Sequence, residues 1–359
     1  THFSLKRSPE AKQVLKRYFT GKNYAAAEIE VSGIFSLGEL CRRLEDQNLI
    51  SRARFESLLT ELTPFIIREE DAEHGEGFWT DHWTYNLDLI ESYLAIYPED
   101  AKSLLFVRNE FTFYDNDHVV RPRHEKYFLK NGKLPRQFQS VFVDKEKTAL
   151  IASRNYRPHA VRTKYGKGDI YQTTLMVKLA CLFANKLASL DPNGTGMEME
   201  ADKPSWYDAL NGLPGLFGSS LCETFELKRL AVFVAESLDE LKIDLSSTMD
   251  LPEELHEFIT RLSKCLENHL AEKSLQKNYI FWDLATKLKE DFRQKTRLGL
   301  SGKEKKITIG DLKAFFERGR EKIDVGIDKS FDKTSELFPT YFENEAVKFK
   351  AEPKDKSRV

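Results

Sequence analysis

Residues 174–190, TLMVKLACLFANKLASL, decide the fold class. Leu175, Leu179, Leu182, Phe183 and Leu187 recur at three- and four-residue intervals, the period that gathers apolar side chains on one face of a helix. The same spacing returns in residues 224–241, with Leu227, Leu230, Ala231, Val234, Leu238 and Leu241. It returns again in residues 253–270, with Leu255, Phe258, Ile259, Leu262 and Leu266. Further helices are predicted over 275–297 and 311–328. Toward the N-terminus, Ser36 and Glu39 have the spacing of a capping box that opens a helix to about Asp46. Residues 51–66 and 84–97 continue the helical pattern, and Pro98 stops the second. The exception is the interval 111–143. Its segments FTFY, HVV, EKYFL and RQFQSVFV are short, aromatic or β-branched, and separated by turn residues, which predicts a few strands or extended loops. The expectation is a mainly α protein: one helical domain over 1–345, a small β/extended insertion at about 111–143, and a solvated tail at 346–359.

Composition bounds the rest. A chain of 359 residues that is 41% hydrophobic can bury a large core. A formal net charge of −2 gives no general attraction to nucleic acid or to an anionic membrane. No apolar run is long enough to span a bilayer, and no secretory signal is apparent. Cys41, Cys181, Cys222 and Cys265 form no CxxC pair and read as buried free thiols of a cytoplasmic protein. The eight histidines show neither an HExxH motif nor ligand spacing, so no metal is expected. A nucleotide loop and a GxSxG elbow are also missing from the sequence.

Aromatic residues make up 12% of the chain, and three polar segments gather them in a way that suits a carbohydrate cleft. EHGEGFWTDHWTYNLD, residues 73–88, holds Trp79, Asp81, His82, Trp83, Tyr85 and Asn86 at a loop-to-helix junction. RPRHEK, residues 121–126, brings Arg121, Arg123 and His124 together. Pro122 biases Arg121 toward extended geometry, in which the two guanidinium groups would point the same way, toward phosphate or sugar hydroxyls. Residues 191–226, DPNGTGMEMEADKPSWYDALNGLPGLFGSSLCETFE, hold Glu200, Trp206, Asp208 and Asn211 in a glycine-dense loop. An Asp208 desolvated between aromatic rings would keep its proton, as a general acid must.

The segment PSWYDALNGLPGLFGSS, followed by ETFELKRL, resembles the catalytic loop of the cellobiose- and chitobiose-phosphorylase group, and GFWTDHWTYNLDLIESYL resembles the entry to a sugar-pocket helix in proteins of that kind. The resemblance implies an (α/α)6 toroid and places Asp208 at the general-acid position. It implies an enzyme cleaving a β-glycosidic bond of an oligosaccharide with inversion, with inorganic phosphate as co-substrate and no other cofactor. In a hydrolase a second carboxylate would activate water from about 6.5–9.5 Å away; Asp81 leads, then Glu200 or Glu125. Trp79, His82, Trp83, Tyr85, Asn86, Trp206 and Asn211 would line the sugar subsites. The implied partners are an oligosaccharide and either a second copy of the chain or flanking domains of a longer one. Two other readings stand beside this: a non-catalytic helical toroid that binds carbohydrate or protein, and a sugar isomerase or epimerase using His82 or His124. The enzymatic reading expects Trp83, Arg121 and Asp208 to converge on one cleft.

Overall fold

The structure, a computed structural model, describes residues 2–69, 82–201, 210 and 215–349. The chain divides into two compact units, Thr1–Gly75 and Glu76–Val359. This differs from the single body expected over 1–345. The reason is that the first four helices turn their apolar faces toward one another and close a core of their own.

The first unit contains β1 (His2–Leu5), α1 (Pro9–Tyr18), α2 (Gly21–Glu30), α3 (Leu37–Asp46), α4 (Arg52–Leu62) and β2 (Ile66–Glu69). Ser36 caps α3, its hydroxyl accepting from the Glu39 amide at 3.3 Å. The helix predicted over 51–66 stops earlier. Pro64 cannot sit inside an α-helix, so a short 3-10 turn at Thr63–Phe65 follows α4 and the chain then extends to pair antiparallel with β1, Leu5 opposite Ile66. Leu15, Phe19, Phe35, Leu44 and Leu58 form the centre of this core.

The second unit begins, among the described residues, with a 3-10 turn at His82–Thr84, followed by α5 (Tyr85–Ile96) and a π-helical turn at Ser103–Val107. The interval 111–143 is extended as predicted. It holds β3 (His118–Val120), a one-turn α6 (Arg123–Lys126), β4 (Tyr127–Lys130), β5 (Leu134–Gln137) and β6 (Val141–Val143), with β3 paired to β6 and β4 to β5. Then come α7 (Lys145–Ala152), α8 (Leu175–Leu187), β7 (Met197–Glu198), β8 (Phe217–Ser220), α9 (Leu221–Glu240), β9 (Thr248–Pro252), α10 (Glu253–Ala271), α11 (Lys277–Lys295), β10 (Glu304–Thr308), α12 (Ile309–Ser330) and β11 (Tyr341–Asn344). Strands β11, β8 and β7 form one antiparallel sheet in that order, and β9 pairs with β10.

Helices α8 to α12 pack into the main core. Phe183 of α8 stacks on Phe316 of α12 with centroids 4.4 Å apart and meets Phe315 edge-on at 5.5 Å. This approach requires Gly319, because a Cβ there would lie 2.6 Å from the Phe183 ring. Among the described residues no helix is long and apolar enough to cross a membrane. All four cysteines are free thiols; three are partly buried, whereas Cys222, near the start of α9, is exposed rather than buried.

Candidate functional site

The site is built outward from the end of α8. Asp191, almost fully buried, accepts hydrogen bonds from the amides of Asn193, Thr195 and Gly196 and from the hydroxyls of Thr195 and Ser219, all at 2.8–3.1 Å. Five donors on one carboxylate fix the turn that follows and deliver the chain into β7. From there the sequence alternates Met197, Glu198, Met199, Glu200. The two methionines are buried, so the pleat turns both glutamates to the opposite face.

That face forms a wall of a cavity of about 860 Å³, within the range of small-molecule sites. Around it stand Arg123, His124, Lys126, Tyr127 and Gln137 from α6 and the β4–β5 hairpin, and Phe217 and Gly218 from β8. Helix α11 adds Tyr279, Trp282, Lys287 and Glu290, and residues 344–349 run along a further side. Residues 345–349 are exposed and line the cavity as well.

Gln137 ties the enclosure together. Its amide nitrogen donates to the carbonyls of Met199 at 2.9 Å and Leu216 at 2.7 Å, so one buried side chain holds the residues on both sides of the interval 202–214. Its own backbone N–H donates to Gly215, which sits at φ +62° with the Gln137 carbonyl where a Cβ would point.

The electrostatics are unusual for so enclosed a place. Lys126 and Glu200 form an ion pair, their side chains only 7% and 12% exposed. Burial pushes the Glu200 carboxyl up, but the Lys126 and Lys289 ammonium groups outweigh it, and it ends below the ordinary carboxylate range. Glu198 ends on the other side: burial raises it, the nearby Glu200 charge adds to the rise, and Lys289 and Lys126 only partly offset it. Behind this wall Lys289, donating to Ser189 Oγ at 2.9 Å, is brought down to about 7 by burial and by Arg293. Burial, reinforced by Glu198 and Glu200, pushes the Tyr127 phenol well up. Two carboxyl groups two residues apart, one pushed up and one pushed down, are the arrangement that separates acid from base.

Opposite, Trp282 donates its indole N–H to Glu198 Oε1 at 2.6 Å while the Arg123 guanidinium covers its ring at 4.5 Å. Arg123 also bonds Asp283 at 2.9 Å, and its backbone N–H donates to Glu290 at 2.8 Å. Among the described residues no three His, Cys, Asp or Glu side chains are arranged to hold a metal ion.

The sequence-derived candidates are scattered. Glu200, Arg123 and His124 line the cavity. Arg121 does not. Arg123 starts a helical turn, which breaks the extended alternation, and Arg121 turns instead to Glu125 at 3.0 Å and covers the Phe142 ring at 4.5 Å. Glu125, held in that pair, does not line the cavity either. Trp83 packs as scaffold: its N–H donates to the buried Glu223 at 2.7 Å and Lys186 lies over its ring at 5.1 Å. His82 tilts against Tyr85 at 5.2 Å, and Asn86 donates to the Trp83 carbonyl at 2.9 Å. None of these four lines the cavity, so the expected convergence of Trp83 and Arg121 on the cleft is not found. Trp79, Asp81, Trp206, Asp208 and Asn211 lie outside the described residues. Sequence reasoning passed over Glu198, Lys126, Tyr127, Trp282 and Lys289. The Met–Glu–Met–Glu alternation was the available signal for the first, and the face shared by Trp282 and Lys289, seven residues apart on α11, for the last two.

No protein-family model matches the chain, and no curated protein sequence matches it.

Proposed function

We propose that the chain is a carbohydrate-active enzyme that cleaves a β-glycosidic bond of an oligosaccharide with inversion, by general-acid catalysis. The observation that carries the reading is the pair Glu198 and Glu200, two carboxyl groups with pKa values pushed in opposite directions on one wall of an aromatic-lined cavity of about 860 Å³. Tyr127, Phe217, Tyr279 and Trp282 supply rings against which sugar C–H faces pack. Asp208 is the proton donor in this reading, from its resemblance to the phosphorylase loop; the residues flanking its segment, Met199, Glu200, Phe217 and Gly218, line the cavity. Glu200, ionised, is the base that activates the nucleophile. The packed helices α8 to α12 are read as part of an (α/α)6 toroid.

Water is favoured over phosphate as nucleophile. Arg123, Lys126 and Lys287 are each already engaged with a carboxylate, so a phosphate dianion would have to displace Asp283 or Glu200. Phosphorolysis is the second reading, supported by the exposed Lys348 ammonium and the exposed His124 ring, which line the same space.

The test incubates the full chain with β-linked gluco-oligosaccharides, with and without inorganic phosphate, and measures reducing sugar and sugar 1-phosphate. Reducing ends appearing equally in both conditions support hydrolysis; sugar 1-phosphate appearing only with phosphate supports phosphorolysis. Asp208→Asn should abolish either product while leaving binding intact. Folded protein that binds sugar and turns over none leaves the non-catalytic reading. Near-normal rates in the variant remove Asp208 from the donor role.

A further inference from the structure

Two polar atoms on the cavity wall have no protein partner. The Tyr127 hydroxyl makes no hydrogen bond with any described residue, although its ring is fixed edge-on against Phe217 at 5.1 Å and its backbone is held in β4. Glu198 is held through one oxygen only: Oε1 accepts the Trp282 N–H at 2.6 Å, and Oε2 meets no donor or acceptor among the described residues. Both side chains line the cavity. Both atoms are open to the cavity with bonding capacity unspent on the described residues, so both are available to groups that a ligand brings.

The charges around them narrow what that ligand is. Glu200 and Glu290 stand on the same cavity as carboxylates, whereas Arg123 and Lys126 are already paired with acidic side chains. A carboxylate or phosphate ester entering here would meet like charge and find the inner cations engaged. A neutral hydroxyl would find a phenol O–H, a carboxyl group and an ionised carboxylate: donors and acceptors with no net demand for charge.

We propose that Glu198 and Tyr127 form a specificity pair that recognises hydroxyl groups of an uncharged sugar unit and excludes uronic acids and sugar phosphates. The proposal rests on the carbohydrate reading above and names the substrate class within it. The Glu198 carboxyl bonds a sugar hydroxyl through Oε2 while Oε1 stays on the indole. Tyr127 donates its phenolic hydrogen to a second oxygen, and Trp282 is the positioning residue that sets the Glu198 rotamer.

The experiment uses calorimetric titration of the full chain, in the Asp208→Asn background so that turnover does not intrude. The probes are cellobiose and the matching disaccharide whose terminal C6 carries a carboxylate. Cellobiose is expected to bind at least about tenfold more tightly than its uronic counterpart. Glu198→Gln keeps a donor and an acceptor of the same shape and should hold cellobiose affinity within about twofold, whereas Glu198→Met and Tyr127→Phe should each lose about two- to tenfold. Equal affinity for the two probes, or unchanged cellobiose affinity in both Glu198→Met and Tyr127→Phe, overturns the specificity pair and leaves the carbohydrate reading standing. Failure of the parent protein to bind either sugar overturns both.

Discussion

Lys289 and Lys322 are two buried lysines with nearly the same acidity and opposite surroundings. Each is brought down to about 7, chiefly by burial. Lys322, on α12, is sealed: it donates to Asn278 Oδ1 at 3.1 Å, meets His269 Nε2 at 3.4 Å and lies 4.4 Å over the Phe281 ring. His269 completes that arrangement as a neutral ring, its Nδ1–H toward the Lys277 carbonyl at 3.2 Å and its pKa brought down to about 4 by burial and by Lys322. Lys289 stands behind two glutamates that open onto a cavity. A displaced pKa therefore marks burial in both places and marks a candidate site in only one. What differs is whether a neighbour of the lysine can reach a ligand.

The sharpest way to break this comparison is to remove charge from the cavity wall. Glu200→Met leaves the Lys126 ammonium enclosed without its carboxylate and should cost about 3–5 kcal/mol in denaturant unfolding. Adding Lys126→Met should recover most of that loss. A Glu200→Met protein as stable as the parent would mean that the pair is effectively solvated.

Next in size is a change confined to the sealed bundle. Gly319→Ala forces a methyl group against Phe183 and should destabilise by about 1–3 kcal/mol, with sugar affinity unchanged. If affinity falls with stability, the bundle and the cavity wall are not mechanically separate.

The third effect is a slope rather than a step, small within any one pH unit. Between about 7, the folded value of Lys322, and its ordinary value of 10.5, the unfolded chain holds a proton that the folded chain lacks. Unfolding then takes up a proton, so this lysine makes stability rise with pH across that window, by at most about 1.4 kcal/mol per pH unit. Lys322→Met should remove that contribution and leave sugar binding untouched. Lys289→Met should instead shift the pH dependence of binding or turnover. The same response from both variants would erase the distinction between them.

The helical framework was legible because apolar periodicity is local information. The stripe from Leu175 to Leu187 is visible in sequence and buried in the structure. The strands of 111–143 were legible for the same reason, through short β-branched and aromatic runs. What the sequence hid was pairing over long separations. Nothing near Glu198 announces Trp282, 84 residues away, and nothing near Trp83 announces Glu223, 140 residues away. Two tryptophans of similar local character thus received opposite fates. Trp83 spends its N–H on a buried carboxylate between helices, while Trp282, on the helix predicted over 275–297 but in no segment singled out for chemistry, faces the cavity. Arg121 and Arg123 parted for a subtler reason: Pro122 is as good a start for a helical turn as for an extended pair. In the glycine-dense segment, Gly215 and Gly218 stand where backbone or Leu210 crowds the space a Cβ would need.

The double bond made by the Gln137 amide has a consequence for how the wall is held. Because Met199 and Leu216 hang from the same nitrogen, a shift of strand β5 carries both in one direction. The two edges of the interval 202–214 are therefore anchored to one another rather than to separate points of the wall.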